Sequence, residues 1–210
     1  MNYGKMKEVD ANNVQTGTFN ASEIAVEGIF SYELARNLVG GITAKFITSY
    51  IGSYNSMAVG VDLGLNWYEP ERQWSVSLVA KNLGGQIKAY EEEYGKMPID
   101  VQVGVSKTFA ALPVRVSATL VDLTHYDYRF INHLNLGAEV LLSESIWVGG
   151  GYNFRKADEM TIGKDENASA HGAGFSVGAG INLEQFKLNL AYGKYHAASN
   201  SILVNLAYSF

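Results

Sequence analysis

The sequence contains no cysteine and only three prolines in 210 residues. Without cysteine, disulfide bridges and thiolate metal sites are excluded, and the redox state of the compartment stays open. Charged residues make up only 18% of the chain, below the roughly 25% of a typical soluble domain. The formal net charge is −5, so the basic surface that a nucleic-acid partner requires is missing.

Long hydrophobic runs are also missing. No stretch of about 20 apolar residues is present to cross a bilayer as a helix, and the mean hydropathy is only −0.03. The first residues, MNYGKMKEVD, lack the apolar segment and the small-residue cleavage site of a signal peptide. Two interpretations follow: a cytosolic protein, or a mature or truncated form of an exported one.

What the sequence does contain is alternation of apolar residues with small or polar ones. In MAVGVDLGLNW, residues 57–67, the bulky side chains share one strand face and Ala, Gly, Asp and Asn share the other. About twelve such stretches follow one another along the chain. Patterns of this kind at regular spacing, with hardly a helical period between them, predict an all-β barrel or sandwich.

The connections between the predicted strands alternate between short and long. This order predicts an up-and-down meander, and outer-membrane barrels combine short periplasmic turns with long extracellular loops. Short turns are expected at residues 36–37, 69–72, 110–111, 143–144 and 184–185, and long polar loops include GSYNS, GQIKAYEEEYGKM, HYDYRF and RKADEMTIGKDENASAH.

Three observations favour a transmembrane barrel over a soluble one. The face opposite the apolar residues is mainly Gly, Ser, Asn and Ala, whereas a solvated face is rich in Lys and Glu. Aromatic residues cluster near strand ends, as Trp67, Tyr68 and Trp74 do around one turn, which is typical of interfacial girdles. The runs are about nine to eleven residues long, the length that a tilted strand needs to cross a bilayer.

The final strand resembles the C-terminal signature of bacterial outer-membrane proteins, which the barrel-assembly machinery reads. Its apolar residues alternate up to the last position, and they are Ile202, Val204, Leu206, Tyr208 and Phe210. This resemblance places the C-terminus in the periplasm and the long loops outside the cell. We therefore expect a protein of the outer membrane of a Gram-negative bacterium, in contact with its lipid and lipopolysaccharide.

Several segments resemble the PorV/PorQ family, FadL-like barrels of the type IX secretion system of Bacteroidetes. The most distinctive are KNLGGQIKAY, residues 81–90, and YHAASN, residues 195–200. The resemblance implies a non-enzymatic outer-membrane component of the PorQ type, which anchors a surface partner of the PorZ type in the complex that attaches secreted cargo. It also implies about 14 strands and a signal peptide, so we expect residues 1–210 to be a single barrel domain that lacks its N-terminal part.

Charged residues on the small-residue face form the first set of candidate sites. Both signs are interspersed in this set, which favours structural pairing inside the barrel over a channel lining. The set consists of Lys45, Asp62, Lys81, Asp100, Arg115, Glu139 and Lys187. A second set, in the expected surface loops, is suited to docking a partner because Tyr and Arg are favoured at interfaces; it consists of Tyr90, Tyr126, Tyr128 and Arg129.

No cofactor, metal or catalytic activity is expected. The four histidines show no metal-binding spacing, and the only local cluster is His125 with Asp122 and Asp127. The phosphate-binding motif G-x-x-x-x-G-K-[ST] is absent. Two alternatives to a secretion scaffold remain: a FadL-like transporter or porin for hydrophobic or small solutes, and a soluble all-β binding protein.

Overall fold

The computed structural model describes residues 2–109, 111–161, 172–196 and 199–209. Its strands lie in one sheet in the order in which they occur along the chain. They are β1 (Asn2–Val9), β2 (Gln15–Ala35), β3 (Leu38–Ile51), β4 (Tyr54–Glu69), β5 (Trp74–Lys88), β6 (Asp100–Phe109), β7 (Val114–Leu120), β8 (Leu134–Leu141), β9 (Ile146–Asn153), β10 (Phe175–Asn182), β11 (Phe186–His196) and β12 (Ser199–Tyr208). The predicted all-β, up-and-down arrangement is confirmed.

Helical structure is confined to two short segments within the described residues. A 3₁₀ turn covers Phe130–His133, and the helix α1 covers Phe154–Glu159. No helix in this part of the chain has the length and apolar character needed to cross a membrane.

The connection between β3 and β4 is shorter than the sequence predicts. GSYNS was expected to be a polar loop, but β3 continues to Ile51 and β4 begins at Tyr54, which leaves two residues between them. Gly52 has a φ of +60°, the backbone conformation that a two-residue hairpin turn needs at its first central position. Because Gly52 allows this tight turn, β3 and β4 both extend into the segment that was predicted to be a polar loop.

The chain divides into two compact units. Unit 1 comprises Met1–Leu65 with Val79–Asp100, and unit 2 comprises Asn66–Leu78 with Val101–Phe210. In unit 1, β2 pairs with β3 from Ala21 opposite Ile51 down to Ala35 opposite Leu38. The expectation of a single domain over residues 1–210 stays a prediction.

Unit 2 contains a regular antiparallel ladder in which glycines pair with one another on one face. Gly137 pairs with Gly151, and Gly149 pairs with Gly178. A Cβ added at Gly180 would lie 2.2 Å from the Trp147 Nε1 atom. Glycine at this position therefore leaves room for the indole to lie against the small-residue face of the sheet.

The apolar face of the strands is exposed instead of forming a core. In β4, Val59, Leu63 and Leu65 are 40–46% exposed, whereas Gly60 on the opposite face is buried. The buried hydrophobic residues of the described chain are all alanines: Ala21, Ala89, Ala157 and Ala173. A soluble β-protein buries its apolar face, so this distribution argues against a soluble binding protein and fits strands whose apolar face meets lipid.

Candidate functional site

A buried ion pair connects β3 and β4 on the small-residue face of unit 1. The Lys45 Nζ atom lies 2.7 Å from Asp62 Oδ2, and the two side chains are only 9% and 14% exposed. Asn82, with a φ of +60°, completes this group: its backbone N–H donates to Asp62 Oδ1 at 2.8 Å, and its side-chain oxygen accepts from Lys45 at 3.1 Å. The charges are thus neutralised and hydrogen-bonded, as burial requires.

The connection between β5 and β6, here called loop 89–99, folds back onto this face. The Asn82 side-chain amide donates to the Pro98 carbonyl at 2.9 Å, which ties the end of the loop to the ion pair. Met97 lies over Gly60, where an added Cβ would be 3.0 Å from the methionine methyl carbon. The Tyr90 hydroxyl bonds to Ser49 at 2.5 Å. This loop therefore covers part of the small-residue face of unit 1.

A second ion pair lies on the small-residue face of unit 2. Arg115 and Glu139 stand opposite each other in the register of β7 and β8, with Arg115 Nη1 3.1 Å from Glu139 Oε2. Their side chains are 45% and 34% exposed, so solvent screens this pair more strongly than the Lys45–Asp62 pair. The other predicted charges lie on β5, β6 and β11, and they are Lys81, Asp100 and Lys187. A location of all seven charges inside a barrel stays a prediction.

The segment between β7 and β8, here called loop 121–133, is fastened to α1 by charged groups. Asp122, which has a φ of +57°, accepts a hydrogen bond from the guanidinium of Arg155 at 2.5 Å and another from His125 Nδ1. Arg155 Nε is also 3.6 Å from Glu159. We call Asp122, His125 and Arg155 the loop latch.

Three further contacts hold loop 121–133 and Arg155 in place. The guanidinium carbon of Arg155 lies 5.1 Å from the ring centre of Tyr128, a cation–π geometry. The side-chain amide of Asn132 donates to Asp158 in α1 at 2.9 Å, and His133 Nδ1 lies 2.8 Å from the Val121 carbonyl. Asn132 and His133 are buried. The loop is therefore ordered by polar contacts at both of its ends.

The electrostatics of the latch favour its charged form. Burial opposes ionisation of Asp122, but the hydrogen bonds from His125 and Arg155 outweigh it and hold the pKa of this carboxyl below its usual range. Burial likewise disfavours the charged guanidinium, but the hydrogen bond to Asp122 raises the pKa of Arg155. At neutral pH the latch is therefore a closed pair of opposite charges.

Acidification is expected to open the latch. A carboxyl whose pKa is lowered on folding stabilises the fold above its unfolded pKa, and that contribution disappears as the pH falls through the folded pKa. We expect hydrogen–deuterium exchange in loop 121–133, corrected for intrinsic rates, to rise below about pH 4. The Asp122→Asn variant should exchange rapidly at neutral pH already. Equal protection of variant and wild type at pH 7 would contradict this role of Asp122.

The predicted docking residues differ in the solvent exposure of their side chains. Tyr126 is 91% exposed and Phe130, beside the exposed Arg129, is 71% exposed. Tyr128 is less exposed, at 39%; its ring packs on Arg155 and contacts the His133 ring with a centroid distance of 6.1 Å. The hydroxyl of Tyr90 is bonded to Ser49. The projecting surface of loop 121–133 is thus Tyr126, Arg129 and Phe130.

Sequence reasoning missed α1 and its residue Arg155, which it placed in a long polar loop. A local signal was present, because Asn153 precedes the helix and its side chain accepts a hydrogen bond from the Lys156 N–H at 2.8 Å, the usual N-cap arrangement. Asp127 does not join Asp122 and His125 in the latch. Within the described ranges, no three His, Cys, Asp or Glu side chains converge into a metal-binding group.

The C-terminal strand places its predicted signature residues on the apolar face shared with β11. Tyr208 pairs with Phe186, with ring centres 4.8 Å apart, and Leu206 pairs with Leu188. Ile202 and Val204 are 75% and 66% exposed. Phe210 lies outside the described residues. Reading of this strand by the assembly machinery stays a prediction.

Residues 13–206 match the model of the family described as "Type IX secretion system membrane protein PorP/SprF". No curated protein matches the chain significantly. The family match confirms the expectation of a membrane component of this secretion system.

Proposed function

We infer a scaffolding role in protein secretion for this chain, because it belongs to the PorP/SprF family of type IX secretion system membrane proteins. In this proposal the strands anchor the protein in the outer membrane with the C-terminus in the periplasm. The loops present a docking surface for another component of the secretion system. The finer assignment to a PorQ-type anchor, with a surface partner of the PorZ type, belongs to the same proposal.

The observation that carries the scaffold role is the fixed presentation of Tyr126, Arg129 and Phe130. Exposed aromatic and arginine side chains are favoured at interfaces. Because the latch orders the loop beforehand, little conformational entropy is lost when a partner binds. Loop 89–99, which covers part of the small-residue face of unit 1, supports a scaffold over a transporter.

Capture of a secretion partner should depend on the projecting loop. We expect the double variant Tyr126→Ala with Phe130→Ala to lose at least tenfold in partner recovery after cross-linking in membranes, since aromatic anchors each contribute more than about 1 kcal/mol. Tyr94→Ala is the matched control, because Tyr94 is an aromatic residue that is 64% exposed in loop 89–99.

Two results would contradict the scaffold role. One is partner recovery that is unchanged in the double variant while heat-modifiable gel migration shows a folded protein. The other is steady conductance of the purified wild-type protein in planar bilayers, which a FadL-like transporter or porin would give.

A further inference from the structure

Lys107 is a charged residue on the apolar face of β6. The residues that precede it on this face are Val103 and Val105, and Phe109 follows it; all three are exposed. A charge on a lipid-facing strand is strongly unfavourable at the bilayer midplane and is tolerated near the membrane edge. Lys107 therefore marks the level at which the apolar face of β6 leaves the hydrocarbon.

The ammonium group of Lys107 is held at the end of the strand. Its Nζ atom lies 4.8 Å from the ring centre of Trp74 and 5.9 Å from that of Phe109, and it donates to the Arg72 carbonyl at 2.8 Å. The Thr108 N–H bonds to the Gln73 carbonyl at 3.1 Å, so β6 is fastened to the short turn between β4 and β5. All of these residues belong to unit 2.

The surroundings of Lys107 are those of a membrane–water interface. Trp67, Tyr68, Trp74 and Phe109 are each 38–44% exposed around the same turn, and aromatic residues of this kind lie at the level of the lipid headgroups. A lysine ammonium has three N–H donors. The hydrogen bond to the Arg72 carbonyl uses one of them, and the others are suited to an anionic oxygen.

We propose that Lys107 binds the phosphate of a glycerophospholipid headgroup at the membrane edge nearest the β4–β5 turn. Its aromatic neighbours pack against the upper part of the acyl chains. The turn also carries Arg72, which adds positive charge, together with Glu69 and Glu71. This mixture of signs matches a zwitterionic headgroup, and phosphatidylethanolamine is the expected occupant because its ammonium group, unlike a choline, can donate hydrogen bonds to a carboxylate. The proposal rests on the membrane placement of the strands and is independent of partner docking.

Native mass spectrometry of the detergent-solubilised protein tests the site with defined lipids. We expect phosphatidylethanolamine to bind the Lys107→Met variant about fivefold more weakly than the wild type, the factor that corresponds to ~1 kcal/mol, the upper end for an exposed pair of opposite charges. Lys107→Arg should retain binding because it keeps the charge. Monogalactosyl diacylglycerol, which lacks phosphate, should bind wild type and variant equally weakly.

The matched control is Lys187→Met. Lys187 lies at the start of β11 beside the short 183–185 turn, between Phe186 and Leu188, and on the opposite face from them. The Lys187→Met substitution should leave phospholipid binding unchanged.

Equal weakening of phospholipid binding by both substitutions, or unchanged phospholipid binding to Lys107→Met, would overturn the proposal. Should Lys107→Met not fold, wild-type protein that binds the galactolipid as tightly as phosphatidylethanolamine would overturn it as well. Partner cross-linking is a separate readout, so failure of the scaffold role would not be mistaken for failure of the lipid site.

Discussion

Replacing Asp62 with asparagine is expected to destabilise the protein by about 3–5 kcal/mol, the cost of leaving one member of a buried ion pair without its partner. The substitution keeps the shape of the side chain and removes only its charge. Lys45, 9% exposed in the wild type, then remains a buried cation. We expect the loss in urea unfolding of the folded protein in phospholipid vesicles, followed by tryptophan fluorescence.

The exposed pair in unit 2 supplies the control for this prediction. Glu139→Gln breaks the Arg115–Glu139 pair, whose side chains are 45% and 34% exposed, and should cost no more than about 1 kcal/mol. Glu27 lies opposite Lys45 in the β2–β3 register, so Asp62→Asn is also made together with Glu27→Gln to remove a substitute carboxylate. The double variant Lys45→Met with Asp62→Asn should regain most of the lost stability. A loss in Asp62→Asn no larger than that in Glu139→Gln would refute the argument.

The strands were predictable because their physical signal is local. Each strand alternates a bulky residue with a small or polar one, and a two-residue period needs no knowledge of the neighbouring strand. The same alternation assigned Lys45, Asp62, Arg115 and Glu139 to one face. Register was not predictable, because it depends on the turns and on the pairing of two separate segments.

The contacts that build the candidate site connect residues that are far apart in sequence. Arg155 reaches Asp122 only because β8 and β9 return the chain to the same end of unit 2. No local pattern marks such a pair, and the sequence left α1 inside a polar loop. The segment GQIKAYEEEYGKM was expected to be a long polar loop outside the cell, yet Met97 and the adjoining Pro98 contact the small-residue face through Gly60 and Asn82. Only the folded chain brings these residues together.

The charged residues of the strands have different roles according to the strand face on which they lie. Lys45 and Asp62 lie on the small-residue face, where burial requires a partner of opposite sign. Lys107 lies on the apolar face, where its position at a strand end among aromatic residues suits a lipid headgroup. The same side-chain type therefore has a structural role on one face and a proposed lipid-binding role on the other.

Replacing Gly84 with alanine is expected to prevent correct pairing of β5 with β4. A Cβ at this position would lie 2.1 Å from the Val59 carbonyl oxygen and 2.7 Å from the Gly60 Cα atom. Both neighbours are backbone atoms, which no side-chain rotation can move away. The two strands would have to separate, so we expect a loss of about 3 kcal/mol or more, at or above the upper end for overpacking.

The adjacent glycine is a stringent control for this last substitution. An added Cβ at Gly85 meets no atom within 4 Å, so Gly85→Ala should change stability by less than about 0.5 kcal/mol. The folded fraction after refolding, measured by heat-modifiable gel migration, should fall in Gly84→Ala and stay at the wild-type level in Gly85→Ala. Separation of β5 from β4 would also move Asn82 away from Asp62 and loosen the Lys45–Asp62 group. Similar folded fractions for the two alanine variants would show that β4 and β5 do not approach as closely as the structure places them.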